Sequence, residues 1–194
     1  MIAAARTLFL ERGFEAVSLG EIVRHSGGSL STLYELFENK LGLLGAIVAD
    51  QRFEKLERID AIIAAGNSPA ATLRAIAETL HAGFMDPPTI GLMRLVMAET
   101  LRDPGFGHAL YKAAHVPAVE RLTHLFALWA ADGRATIPRP AIAAEFFLGL
   151  TIHWGQTRAL FGEGGVCGPL PASLDEMLNE AIALFLRGYG IAPE

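Results

Sequence analysis

Between residues 2 and 44 the sequence spells three short amphipathic helices in series, the second and third joined by the tetrapeptide Ser26-Gly27-Gly28-Ser29. That turn narrows the choice of fold more than any other feature. Glycine supplies the positive φ of a tight turn, and Ser29 is suited to cap the next helix. Ser18-Leu19-Gly20-Glu21 is a serine–glutamate capping box, so a helix should begin near Leu19, with Leu19, Ile22 and Val23 on its apolar side. Before it, Ile2, Arg6, Phe9 and Leu10 keep helical spacing up to Gly13. After the turn a short helix runs from residue 30 to about 36, with Leu33, Leu36 and Phe37 expected to face inward. This is the layout of a helix-turn-helix, whose later helix enters the DNA major groove; a generic three-helix bundle shares the spacing.

The rest of the chain also reads as helix. Asn39 is a cap for a long helix from residue 40 to about 65, and Ser68-Pro69 starts another that runs to about 84. Asp86-Pro87-Pro88 breaks the pattern, Thr89 is expected to cap a helix to about 101, and Asp103-Pro104-Gly105 breaks it again. A helix over 106–131 should kink at Pro117, and one helix should follow Pro138-Arg139-Pro140 to about 161. A Gly/Pro-rich loop spans 163–171. Ser173-Leu174-Asp175-Glu176 is a second capping box, and Gly188 ends the last helix. The chain has 31 Ala and 27 Leu against 7 Val, a balance that favours helix over strand. The expected class is all-α, with about nine helices, no strand and no internal repeat.

Composition removes several functions. With 52% hydrophobic residues, a 194-residue chain is not disordered, and no stretch of about 18 residues is apolar enough to span a membrane. The excess apolar content must enter a core, a subunit interface or a ligand cavity. Cys167 is the one cysteine, so an intrachain disulfide or cysteine-based zinc site is impossible, and a reducing cytoplasm is the expected location. The N-terminal residues read as an amphipathic helix rather than a signal peptide. There is no metal-ligand histidine pair, no nucleophile elbow and no phosphate loop, so neither catalysis, nor a cofactor, nor a metal is expected. Gly162-x-Gly164-Gly165 follows a helix rather than a strand and reads as a linker, which also carries Cys167.

The residues of the first segment match a known pattern. Ala4-Ala5, Leu8-Phe9 and Gly13-Phe14, then Val17-Ser18 and Ile22, then Gly27, Ser29, Thr32-Leu33-Tyr34, Phe37, Asn39-Lys40 and Leu43-Leu44 closely resemble the N-terminal domain of TetR-family transcriptional regulators. The remainder resembles that family's C-terminal half. Arg94-Leu95-Val96-Met97-Ala98-Glu99 and Ala144-Glu145-Phe146-Phe147-Leu148-Gly149 are most similar to the AefR-like branch. The resemblance implies a DNA-binding domain over 1–45 and a ligand-binding and dimerisation domain over 46–194. It implies a regulator, most simply a repressor, that binds a palindromic operator as a homodimer and is released by a small lipophilic effector.

Carried over position by position, the resemblance makes residues 29 to 36 the recognition helix, with Ser29, Leu30, Ser31 and Thr32 at its DNA-facing end. Tyr34 and Lys40 match residues that bond phosphate in the family, and Ser18 is a cap with a further phosphate contact open to it. The dimer interface would draw on Phe146, Gly149, Leu150 and Trp154 from one helix, and on Met177, Leu178, Ile182 and Phe185 from the last. The same residues equally suit a monomer core. Effector contacts would come from Met93 and Met97, the stripe Leu122, Phe126 and Trp129, and the polar groups of Tyr111, His115 and His153. Each of these also has a plain reading as core or structural residue.

The sequence departs from the family in several respects. The recognition helix has no Arg or Lys, Gly28 stands where an apolar residue is usual, and Leu36 where an aromatic or histidine is usual. Residues 1–50 carry a net charge of -2, within a chain of net charge -5, and where family members commonly begin with a basic arm this sequence starts inside the first helix, so that it is either truncated or without the arm. These departures keep a second reading open: a ligand or lipid carrier that has the fold without the DNA binding.

Overall fold

The computed structural model of the chain describes residues 1–162 and 172–193, apart from the side chains of Gln51 and Arg52. The linker 163–171, with Gly164, Gly165 and Cys167, lies outside the described residues. Within them every regular element is helical: α1 (Ile2–Arg12), α2 (Leu19–Ser26), α3 (Leu30–Phe37), α4 (Lys40–Ala64), α5 (Pro69–Met85), α6 (Pro87–Arg102), α7 (Pro104–Ala114), α8 (Val116–Ala131), α9 (Pro140–Leu148), α10 (Trp154–Phe161) and α11 (Leu174–Gly188). No helix among them is long and apolar enough to cross a membrane.

The nine helical stretches read from the sequence are present, two of them interrupted. The stretch over 106–131 is divided into α7 and α8 at His115, because Pro117 has no N–H for the carbonyl four residues before it and its ring crowds that carbonyl. The stretch over 140–161 contains a π-helical turn, Gly149–His153, between α9 and α10. There the buried Thr151 hydroxyl donates to the Phe147 carbonyl at 2.7 Å, next to a glycine that holds helix weakly. A smaller correction concerns Thr89. It is buried inside α6, which begins two residues earlier at Pro87, a residue suited to the first helical position.

The chain forms two compact units, Met1–Glu54 with Pro87–His115, and Lys55–Asp86 with Val116–Glu194. In the first, Ala5, Leu8 and Phe9 of α1, Ile22 of α2, Leu33 of α3 and Leu43, Leu44 and Ile47 of α4 make one core, which Leu92 of α6 completes. Arg102 at the end of α6 pairs with the buried Glu99 at 2.8 Å and with Glu15 in the α1–α2 loop. In the second unit the core joins α5, α8, α9 and α11 around Phe126, whose ring lies 6.2 Å from Phe147 and 5.1 Å from Phe185. Charged groups brace its surface. Arg74 of α5 donates to Asn179 and Asp175 of α11 at 2.6 and 2.5 Å, and Arg121 of α8 grips Asp60 of α4 with two bonds at 2.7 and 2.9 Å.

Candidate nucleic-acid interface

The helix-turn-helix is assembled from local hydrogen bonds. At the start of α2 the capping box forms in full. The Ser18 hydroxyl accepts from the Glu21 N–H at 3.2 Å, and the Glu21 carboxylate accepts from the Ser18 N–H at 2.9 Å and hydroxyl at 3.0 Å. Arg12 of α1 adds a bond at 2.9 Å from the other side. The Ser18 backbone N–H contributes most, then its hydroxyl, then Arg12; together they hold the Glu21 carboxyl down at about 2. Ser18 therefore places its hydroxyl in the cap as both donor and acceptor.

The turn itself uses two positive-φ glycines, Gly27 at 74° and Gly28 at 92°. A Cβ on Gly28 would lie 2.8 Å from the terminal methyl of Met1. The apolar residue absent from position 28 is thus made up by a side chain from the first residue, laid over the turn.

Ser29 then caps α3, accepting from the Thr32 N–H at 3.1 Å. Its oxygen also lies 2.7 Å from the Ser31 hydroxyl and 2.9 Å from that of Thr32. Leu33 packs inward with no exposed surface, and Phe37 follows it on the inner side. Leu36 does not: it is 63% exposed, a correction to the inward face read from the sequence. The helix ends at Phe37, so one aromatic at its last position is enough to close the core, and Leu36 is left on the flank. Leu30 and Tyr34 are exposed as well, Tyr34 by half.

The link from α3 to α4 fixes the orientation of the recognition helix. Glu38 has φ 62° and ψ -48°, and around it the Asn39 N–H donates to the Phe37 carbonyl at 2.6 Å, a γ-turn. Asn39 caps α4 by accepting from the Gly42 N–H at 2.8 Å. Gly42 sits directly against that same Phe37 carbonyl: a Cβ there would be 2.0 Å from the oxygen. Lys40 lies 4.5 Å over the Phe14 ring and donates to the Glu15 carbonyl at 3.4 Å. Burial pushes its ammonium below the usual lysine value.

Of the predicted DNA-facing residues, Ser29, Leu30, Ser31, Thr32 and Tyr34 lie on α3 and its cap, Lys40 opens α4, and Ser18 stands apart at the cap of α2. Glu35 is exposed on the same helix and was not among the predicted residues, which followed the N-terminal end of α3. Counting helical rotation from Leu33 would have found it.

The residues predicted for dimerisation fall into two groups within the second unit. Phe146 is 59% exposed and Leu150 is partly so; with Gly149, Leu184 and Gly188 they line an open groove of about 600 Å³ between α9, the π turn and α11. Leu178, Ile182 and Phe185 are buried in the unit's own core, and Met177 is half-buried. Trp154 turns its ring to His81 of α5, 5.7 Å away, and burial lowers the pKa of that imidazole. Leu184, exposed on the groove, was not among the predicted residues. Of the predicted effector contacts, Leu122, Phe126 and Trp129 are core residues of the second unit, where His153 is exposed. Met93 and Met97 on α6 belong to the first unit, as do Tyr111 and His115, whose rings stack at 5.0 Å.

Known proteins share this fold. Residues 1–47 match the family of bacterial regulatory proteins of the TetR type, and residues 71–191 match the C-terminal domain of AefR-like transcriptional repressors. The chain belongs to the TetR family of transcriptional regulators. A TetR/AcrR-family regulator of Thermobifida fusca is 30% identical, with 97% of this chain and 95% of that one covered and a TM-score of 0.57. A TetR-family protein of Mesorhizobium loti shares the fold at a TM-score of 0.82, with 24% identity over 98% of this chain and 95% of that one. The flavonoid-responsive regulator FrrA shares it at 0.73, with 23% identity over 97% and 94%. No curated protein shows a significant match.

Proposed function

We propose that the chain is a cytoplasmic repressor that binds a palindromic operator as a homodimer through α3 and leaves it when a small lipophilic effector binds. Residues 1–45 would form the DNA-binding domain and 46–194 the effector and dimer domain. The observation that carries this reading is α3 itself. It is capped at its N-terminus, locked at its C-terminus by the Glu38 turn, and exposed at Leu30, Tyr34 and Leu36. Its first N–H groups and positive dipole end suit phosphate, and its length suits a major groove.

A palindrome reader needs two-fold symmetry, with its two reading helices roughly 34–36 Å apart. The groove around Phe146 and Leu150 is the proposed contact between copies. An effector that binds better to the conformation with the wrong spacing lowers operator affinity by its differential affinity. Met93, Met97, Tyr111 and His115 in the first unit are the proposed polar and sulfur contacts, and His153 is a separate candidate in the second. Reaching Leu122, Phe126 or Trp129 would require displacing core packing. The name of FrrA makes flavonoids a sensible first class to screen.

The test is an anisotropy titration on DNA flanking the chain's own gene, over about 50–200 mM salt, because neutralised phosphates release counterions and affinity falls with salt. Nanomolar, palindrome-dependent and salt-sensitive binding is expected. Binding no better than to random DNA would favour the carrier reading, which gains from the engagement of Arg12 with Glu21 and of Lys40 with Phe14.

A further inference from the structure

α3 presents a carboxylate where major-groove helices commonly present a cation. At roughly 100° of rotation per residue, Ser31 and Glu35 stand one turn apart and within about 20° of the direction opposite the buried Leu33. Tyr34 and Thr32 flank them. The Ser31 and Thr32 hydroxyls are already engaged with Ser29, at 2.7 and 2.9 Å. Glu35 is exposed and has no hydrogen bond or ion pair among the described residues. It is the charged group of α3, on the outward centre of the helix.

Its chemistry restricts the partner. A carboxylate only accepts, and between phosphates it is repelled unless it meets a donor. Major-groove donors are the amino groups of cytosine and adenine, and the acidic side chains pair with cytosine N4. With no Arg or Lys on α3, the usual contact to guanine is absent. Two cations of the same unit are already engaged: Arg12 is held by Glu21, and Lys40 lies over Phe14. Resting on the DNA-binding reading above, we infer that Glu35 accepts a hydrogen bond from the N4 amino group of one cytosine in each half-site and sets the sequence preference of α3.

The test starts with selection of binding sites from random duplexes by the full-length protein, in parallel with Glu35→Ala and Glu35→Gln. The wild type should select one symmetric cytosine per half-site and prefer it over the other bases by on the order of ten-fold or more. Glu35→Ala should lose that preference while binding duplexes without the cytosine at least as tightly as the wild type does. Glu35→Gln should move the preference to adenine, to which an amide bonds through N6 and N7. Replacing the cytosine by 2-pyrimidinone, which lacks the amino group, should weaken the wild type about ten-fold and leave Glu35→Ala unaffected. Because the Glu35 side chain is exposed and bonds to no described residue, both variants should melt with the wild type, so these shifts do not report unfolding. A cytosine preference retained by Glu35→Ala, or a wild-type motif with no symmetric cytosine, overturns the inference and leaves the DNA-binding reading standing. No sequence-dependent binding by the wild type overturns both.

Discussion

Two of the surfaces that expose large apolar side chains differ in what stands between those side chains. On α3, Leu30, Tyr34 and Leu36 are separated by Ser31, Thr32 and Glu35. On α9 and α11, Phe146, Leu150 and Leu184 line one groove with Gly149, Gly188, Glu145 and Tyr189, and its lining is mostly apolar. Hydroxyls and carboxylates cannot be dehydrated without partners, so the first surface suits a wet, polar ligand such as a DNA groove. The second can lose its water at little cost, which suits a copy of itself. Exposure by itself does not name a partner; the polar atoms between the exposed groups do.

The sharpest way to break that contrast is to charge the groove. Phe146→Asp should weaken self-association by more than about 100-fold, within the range of a central apolar anchor at an interface. Light scattering should then report a particle near 20.8 kDa, against twice that for the proposed wild-type dimer. An unchanged mass would remove the groove from the dimer.

The next largest effect tests how firmly α3 is presented. Gly42→Ala puts a methyl 2.0 Å from the Phe37 carbonyl oxygen, which the backbone can relieve only by moving. A loss of about 2–3 kcal/mol in urea unfolding is expected, the usual cost of overpacking.

Smaller effects are expected at the α2 cap. Ser18→Ala should cost about 1 kcal/mol. Glu21 titrates at about 2 in the folded chain, below its unfolded value, so its contribution is present above the ordinary carboxylate range and is lost as pH falls through about 2. In Ser18→Ala the Glu21 carboxyl should titrate higher by NMR, and the stability lost in acid should shrink. The smallest effect is a gain. Glu38→Gly relieves a positive φ that a glutamate adopts at a cost, and should raise stability by about 1 kcal/mol or less, measured as a higher thermal midpoint.

The parts legible in the sequence share a physical cause: their interactions close within one turn of chain. The boxes at Ser18–Glu21 and Ser173–Glu176 both form as spelled, as does the Ser68-Pro69 start, because a side chain and an N–H three residues on are enough to define them. The recognition helix and its exposed Leu30 and Tyr34 come from that local grammar. Leu36 was less legible, because its facing depends on where α3 stops.

Other features were settled by distant partners. Periodicity puts Trp154 on the same stripe as Phe146 and Leu150, but a π turn inserts about one residue and rotates the helix beyond it, so Trp154 meets His81 instead. That Met1 covers Gly28, and that Glu15 binds Arg102 from 87 residues away, has no local signature at all. By itself, then, the sequence determined an all-α chain with a capped helix-turn-helix at its start. Only tertiary structure decided that α6 and α7 pack with that helix-turn-helix, and which apolar faces stay uncovered. The reason is that caps and periods are properties of neighbouring residues, whereas burial is a property of whatever surface a helix finally meets.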